Sequence, residues 1–315
     1  MTKFILPLVC GALLCQVADA PDTRSSNAPA LRRAAIREPF RQADLPTDAK
    51  IVRDLEYIPG GGERNWLDLY LPANATNPLP VIVWVHGGAW RAGSKENCPA
   101  QRFVARGYAV ASINYRLSQH AVFPAQIEDC KAAIRWLRAH SAEYHLDPER
   151  FAAWGSSAGG HLVALLGTTG DTTEFYKGGN LDQSSRVQAV VDWFGPTDFT
   201  QMSKFSRPDS KFDHDASDAP EALLIGGPVQ ANRDKAARAN PITYVSKADP
   251  PFLIMHGNRD NLVPYQQSEL LRDALQKAGV PVTLKIVEGA GHGLGGPEVN
   301  RTVEEFLDAH LKEKH

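Results

Sequence analysis

Beyond residue 48 the chain alternates between short apolar runs and longer amphipathic stretches. Residues 80–86, 108–115 and 150–154 are short, nearly continuous apolar runs that predict buried strands, and residues 187–194, 252–256 and 282–287 read as further strands. Residues 98–106, 124–140, 266–278 and 299–312 carry helical spacing, and another helix is predicted to start at 160–166. In the second of these, Ile127, Ala132, Ala133, Trp136 and Leu137 fall on one side. Continuous apolar strands separated by helices predict an α/β fold whose mostly parallel central sheet is covered on both faces. Residues 51–58 and 65–71 read as an antiparallel strand pair joined through Pro59-Gly60-Gly61-Gly62. In such sheets ligands bind beyond the carboxyl ends of the parallel strands.

Three segments depart from this rhythm. Residues 200–247 form a long, largely polar stretch with Pro208, Pro220, Pro228 and Pro241, expected to be either a small cap over the site or a passive surface excursion. Residues 21–48, rich in Ala, Pro, Ser and Arg, read as a flexible lead. Residues 1–20 read as a secretory signal peptide, with Lys3, an apolar run from Phe4 to Cys15, and Ala18-Asp19-Ala20 as a cleavage site. The run is too short to span a membrane. The expectation is a secreted or periplasmic protein whose α/β domain fills 49–315.

Composition changes this picture little. With 315 residues, 43% hydrophobic, 22% charged and a formal net charge of -2, the chain has the make-up of a globular domain and no basic stripe for nucleic acid or an anionic membrane. Of four cysteines, Cys98 and Cys130 lie beyond the leader. In an oxidising compartment they could pair, and two buried thiols are the plainer expectation. Asn74-Ala75-Thr76 and Asn300-Arg301-Thr302 match a glycosylation sequon, which matters only in a eukaryotic secretory pathway.

The candidate chemistry sits at the strand ends. Gly155-Ser156-Ser157-Ala158-Gly159 follows an apolar run and opens a helix, the strand–turn–helix setting of a nucleophile elbow around Ser157. A serine hydroxyl needs a base, an orienting acid and donors for the developing oxyanion. Of ten histidines, His292 is the best base, set in a glycine-rich loop after the last strand. Asp260, in His256-Gly257-Asn258-Arg259-Asp260, is the best acid, with Asp198 as its rival. His161 and His256 are expected to be structural, and His214, between Asp213 and Asp215, to sit in a solvated acidic loop. His86-Gly87-Gly88-Ala89-Trp90 directly follows a strand. It points to the amides of Gly88 and Ala89, with that of Ala158, as the oxyanion hole, to His86 as an anchor of the loop, and to Trp90 as a wall of the substrate pocket. No metal and no cofactor is implied.

These residues resemble the α/β-hydrolase superfamily. Within it, the H-G-G-x-W, G-x-S-A-G-G and H-G-x-x-D-x-x-V-P motifs are similar to those of exported bacterial carboxylesterases, the feruloyl-esterase-like (BD-FAE) and hormone-sensitive-lipase-like groups. Asn114-Tyr115-Arg116-Leu117, Phe123-Pro124-Ala125-Gln126 and Asp129-Cys130-Lys131 extend the likeness, which runs from about residue 50 to the C-terminus. Ala89 stands where lipase-like relatives have a third glycine. The resemblance implies a Ser157–Asp260–His292 triad and short-chain or aromatic carboxylic esters, some on plant cell-wall sugars. It leaves feruloyl and acetyl esters unseparated, and the sequence says nothing of oligomeric state. Two alternatives stay open. One is amide hydrolysis, since kynurenine formamidases share H-G-G-x-W and G-x-S-A-G and prolyl-oligopeptidase-like peptidases share the fold. The other is a non-catalytic, hydrolase-like binding protein.

Overall fold

The computed structural model describes residues 45–170 and 172–312. The signal-peptide reading, and the lead as far as residue 44, lie outside them. Eight strands form one sheet: β1 Lys50–Glu56, β2 Trp66–Leu71, β3 Leu79–Val85, β4 Ala109–Ile113, β5 Leu146–Ser156, β6 Ala189–Trp193, β7 Phe252–Gly257 and β8 Val282–Val287. Their order is β1-β2-β4-β3-β5-β6-β7-β8. β1 and β2 pair antiparallel, as does β2 with β4, and every other neighbour is parallel. Among the described residues, eight α-helices accompany them: α1 Ala125–Ala139, α2 Ser141–Tyr144, α3 Ala158–Thr168, α4 Met202–Phe205, α5 Pro220–Ile225, α6 Arg233–Ala239, α7 Gln266–Ala278 and α8 Pro297–Leu311.

Side chains alternate across the sheet, which divides the core in two. Val81, Val83 and Val85 of β3 face a cluster that takes in α1, α3 and α7. Ile82 and Trp84 face the other, closed by Val299, Val303, Leu307 and Leu311 of α8 and by Ala100, Phe103 and Val104. The last three belong to a 3-10 helix, Pro99–Arg106, where an α-helix is expected; Gly107, at φ 84°, ends it. Cys130 lies in the first cluster and Cys98 in the second, so the sheet separates them and both thiols are free. Leu45 packs against the second cluster, so the end of the expected lead belongs to the domain.

Helix α1 departs most from its one-sided expectation: every residue from Ala125 to Arg138 is buried. Lys131, Arg135 and Arg138 recur on one face, and the 169–186 segment covers that face by offering carbonyls to the three cations. Lys131 Nζ donates to Thr169 O at 2.5 Å and Thr172 O at 3.2 Å, and Arg135 donates to the carbonyls of Lys177 and Gly179. Arg138 donates to Pro148 O at 2.8 Å, Arg186 O at 2.9 Å and also Ser184 O, its guanidinium 4.7 Å from the Phe151 ring centroid. Arg138→Met keeps the apolar stem and strands these acceptors. It is expected to lower the unfolding free energy by roughly 2–4 kcal/mol, read as a shift of the urea midpoint; an unchanged midpoint would show that water replaces the guanidinium without loss.

The 200–247 segment is a chain of short helices rather than an extended loop. Met202, Leu224, Ile225, Val229, Ala236 and Ala239 are buried. It is tied down by Phe123 N donating to Leu224 O at 2.8 Å, by His161 Nε2 at 2.7 Å from Ala239 O, and by Ser210 Oγ donating to Asn261 O at 2.8 Å. His214 is buried, not solvated, and lies 3.0 Å from Oε1 of buried Glu221. Flanking acids hid this, because only the intervening side chain turns inward. Among the described residues, no helix is long and apolar enough to cross a membrane and no group of three His, Cys, Asp or Glu side chains could hold a metal ion.

Candidate active site

β5 ends at Ser156 and α3 begins at Ala158. Ser157 between them has φ 54° and ψ -121°, a conformation that costs a non-glycine residue of order 1–3 kcal/mol. The turn holds because its surroundings leave no alternative. Ser157 N donates to Trp193 O at 2.8 Å. A Cβ at Gly159 would collide with the carbonyl of Val85 and lie 2.7 Å from that of His86, so only glycine lets α3 sit directly on β3.

Ser157, Asp260 and His292 meet. His292 Nε2 lies 2.9 Å from Ser157 Oγ, and His292 Nδ1 lies 2.7 Å from Asp260 Oδ2. The carboxylate fixes the tautomer: Nδ1 carries the proton and donates it, leaving Nε2 free to accept from the serine. Asp260 Oδ1 is held by the amides of Leu262 and Val263 at 2.8 and 2.9 Å. The loops carrying acid and base are joined by Arg259 N donating to Ala290 O at 2.8 Å and Gly289 N donating to Asn258 Oδ1 at 2.8 Å. The His292 imidazole also packs edge-on to Phe194, with ring centroids 4.7 Å apart.

His256, expected to be structural, has a closer connection to the site. Its Nε2 lies 2.9 Å from Val263 O and 3.2 Å from Asp260 Oδ2, while Nδ1 takes a hydrogen bond from Ser268 Oγ at 2.7 Å. Burial works to raise the Asp260 pKa. The hydrogen bonds from His256 and His292 outweigh it and hold the carboxyl well below the usual carboxylate range. His256 precedes Asp260 by four residues at the end of a strand, and that spacing was the available signal. Phe194 had none, since its approach to His292 depends on an unusual φ of 44°. The rival acid Asp198 is occupied elsewhere: it caps a short helix, accepting from Thr200 N at 3.0 Å, Thr200 Oγ1 at 2.6 Å and Gln201 Nε2 at 2.7 Å.

The loop after β3 turns back on itself at Gly88, whose carbonyl accepts from the amides of Arg91 and Ala92, both at 3.0 Å. Gly88 has φ 111°, and a Cβ there would strike the Ala92 backbone. Among the described residues, no protein acceptor takes the amides of Gly88 or Ala89. Ala158 N is the first amide of α3, where the helix supplies neither an acceptor nor a competing negative charge. His86 anchors the loop. Its Nδ1 bonds Gly87 O at 2.7 Å, its ring stacks on Tyr115 at 4.4 Å, and Tyr115 Oη donates to His86 O at 2.9 Å. Burial pushes the His86 pKa down to about 4, so it is a neutral prop and not a second base. Trp90 is only 2% exposed and packs edge-on against His161 and Phe199. It therefore stiffens the base of the site instead of forming an open pocket wall.

A serine–imidazole–carboxylate relay at the carboxyl ends of a parallel sheet defines an α/β-hydrolase of the serine esterase class. Residues 67–275 match the BD-FAE family, and the chain belongs to it. It is 32% identical over 305 residues to the probable carboxylic ester hydrolase LipM of Mycobacterium tuberculosis, covering 91% of this chain and 69% of that protein. It is 33% identical to the esterase LipC of the same organism over 69% of this chain, and there it spans about half of the relative, 54%. Among solved structures, a truncated carbohydrate esterase from gut microbiota superposes with a TM-score of 0.76 at 33% identity, over 85% of this chain and 99% of that one.

Proposed function

We propose that this chain is an exported esterase that removes short acyl groups, acetyl above all, from hydroxyls of carbohydrates. The observation that carries the reading is the unbroken relay from Asp260 through His292 to Ser157 Oγ. Ser157 Oγ attacks the ester carbonyl carbon as His292 Nε2 takes its proton. The tetrahedral oxygen is received by the amides of Gly88, Ala89 and Ala158. As the intermediate collapses, His292 returns the proton to the leaving alkoxide, and the acyl group stays on Ser157. Water, deprotonated by the same imidazole, then attacks the acyl carbon; the bond to Ser157 Oγ breaks as that oxygen takes the proton back from His292, and the acid is freed. Asp260 holds the ring and stabilises its charge.

The carbohydrate part of the reading is supported by the gut carbohydrate esterase as structural neighbour. Export is supported by the apolar run from Phe4 to Cys15 and the Ala18-Asp19-Ala20 sequence. The test is a rate series on p-nitrophenyl esters from acetate to laurate, with methyl ferulate and acetylated xylo-oligosaccharides. Acetate and the acetylated sugars are expected to lead, with at least a roughly 10-fold lower kcat/KM for octanoate and longer chains, since a mismatched pocket loses one or more kcal/mol of transition-state binding. A maximum at ferulate would move the assignment to aromatic acyl groups, and cleavage of formyl amides faster than esters would overturn it.

A further inference from the structure

The oxyanion loop holds strain that something must contain. Gly88, Ala89 and Trp90 have φ of 111°, 55° and 55° in succession. A left-handed non-glycine residue costs roughly 1–2 kcal/mol, and such backbone persists only where its surroundings over-determine it. On the upstream side, β3 and the His86–Tyr115 stack do this. On the downstream side the loop runs into a buried polar node centred on Lys95, which is 3% exposed.

Lys95 Nζ bridges Asp68 Oδ1 and Asp54 Oδ1, each at 2.7 Å. Its main chain is gripped as well: Lys95 N donates to Asn114 Oδ1 at 2.7 Å, and Ser112 Oγ donates to Lys95 O at 2.7 Å. On either side, Arg64 donates to Gly93 O at 3.0 Å and Trp84 Nε1 to Asn97 O at 2.8 Å. The edge strand is bent to complete the node. The β1–β2 register shifts between Val52 and Leu55, and Asp54 in this bulge has φ 57°. Its amide donates to Asp68 Oδ1 at 3.0 Å, and Arg53 Nη1 donates to Asp68 Oδ2 at 2.9 Å. A bulge re-aims a side chain, and this one delivers the Asp54 carboxylate to Lys95. Burial acts to lower the Lys95 pKa, but the two carboxylates outweigh it and raise it, so the ammonium stays charged.

We infer that Lys95, clamped by Asp68 and the Asp54 bulge, is a positioning residue that holds the Gly88 and Ala89 amides where the oxyanion forms. The inference rests on the esterase reading above. Lys95 touches no reacting atom, and its effect passes through the loop. Loss of the clamp lets the strained residues relax, which misaligns donors that matter only in the transition state.

The test uses Lys95→Met, Lys95→Arg and Asp54→Gly on p-nitrophenyl acetate, with thermal melts and inhibition by phenylboronic acid, whose serine adduct needs the same donors. Lys95→Met is expected to lower kcat about 10- to 100-fold, below the cost of removing one donor outright, with KM within about twofold. The phenylboronic acid Ki should rise by the factor by which kcat/KM falls, and Lys95→Arg should recover most of both. Glycine accepts φ 57° without strain and Asp68 still pairs Lys95, so Asp54→Gly is expected to fold and to lose about threefold in kcat with a matching Ki shift. A folded Lys95→Met with kcat and Ki within about twofold of wild type overturns the inference. If Lys95→Met does not fold, the same result for Asp54→Gly overturns it. An inactive wild type would instead remove the esterase reading and the inference with it.

Discussion

The Ser157→Ala protein is expected to lose p-nitrophenyl acetate hydrolysis by a factor on the order of 10⁵ to 10⁶ in kcat while keeping its melting temperature to within a few degrees. The size follows from the relay. His292 Nε2, 2.9 Å from Ser157 Oγ, has no other nucleophile in hand when the hydroxyl is gone. If the amides of Gly88, Ala89 and Ala158 receive the oxyanion as proposed, a residual rate above the solution reaction persists through substrate binding and oxyanion stabilisation. The fold should tolerate the change. The elbow is held by Ser157 N on Trp193 O and by the contact of Gly159 with the Val85 carbonyl, and neither involves the hydroxyl. Alanine also carries the same Cβ that serine already places at φ 54°. Stopped-flow burst amplitudes check the assignment directly: wild type is expected to show an acyl-enzyme burst or fluorophosphonate labelling at this residue, and the variant neither. A variant with more than about a hundredth of wild-type kcat would mean that another group carries the acyl transfer.

The parts of the fold legible in the sequence are those where burial is uniform. β3, β5, β6 and β7 are covered on both faces, so their apolar runs are continuous and readable, although β5 begins at Leu146, four residues before its apolar run, through the largely polar Asp147-Pro148-Glu149. The three side chains of the relay stand out because each follows the end of a parallel strand, β5 for Ser157, β7 for Asp260 and β8 for His292, the first and last of them set among glycines. What escaped reading depends on partners far away in the chain. α1 is buried on its charged side as well, because carbonyls of the 169–186 segment take its three cations. The link of His256 to Asp260 is local and shows only in their four-residue spacing, whereas Lys95 carries no local mark, because its partner Asp68 reaches it only through the tertiary fold. The β1 bulge is invisible for the same reason: Asp54 is a charged residue in a mostly exposed edge strand, and nothing local marks its φ of 57°. Local pattern records what each element buries; it does not record which polar groups the assembled sheet ends bring together.

Asp260→Asn is expected to lower kcat about 10⁴-fold with little change in KM, through the tautomer of His292. The amides of Leu262 and Val263 both donate to Asp260 Oδ1, so an asparagine must keep its oxygen there and turn its NH₂ toward His292 and His256. His292 Nδ1 then faces a donor and has to give up its proton. The proton moves to Nε2, which can no longer accept one from Ser157. The variant should therefore keep its geometry and bind substrate, which separates it from a folding defect. Stability gives an independent check with a fixed sign. The folded-state pKa of Asp260 is depressed by His256 and His292 against the opposing effect of burial. Its ionised form thus stabilises the native state fully above the unfolded carboxyl value of about 3.9, and that contribution is lost as pH falls toward the lower folded value. Urea midpoints of wild type and Asp260→Asn should differ at pH 7 and converge as pH drops below about 4. A gap that stays constant across that window would show that the carboxylate is not held ionised by the two imidazoles, and the tautomer argument would fail with it.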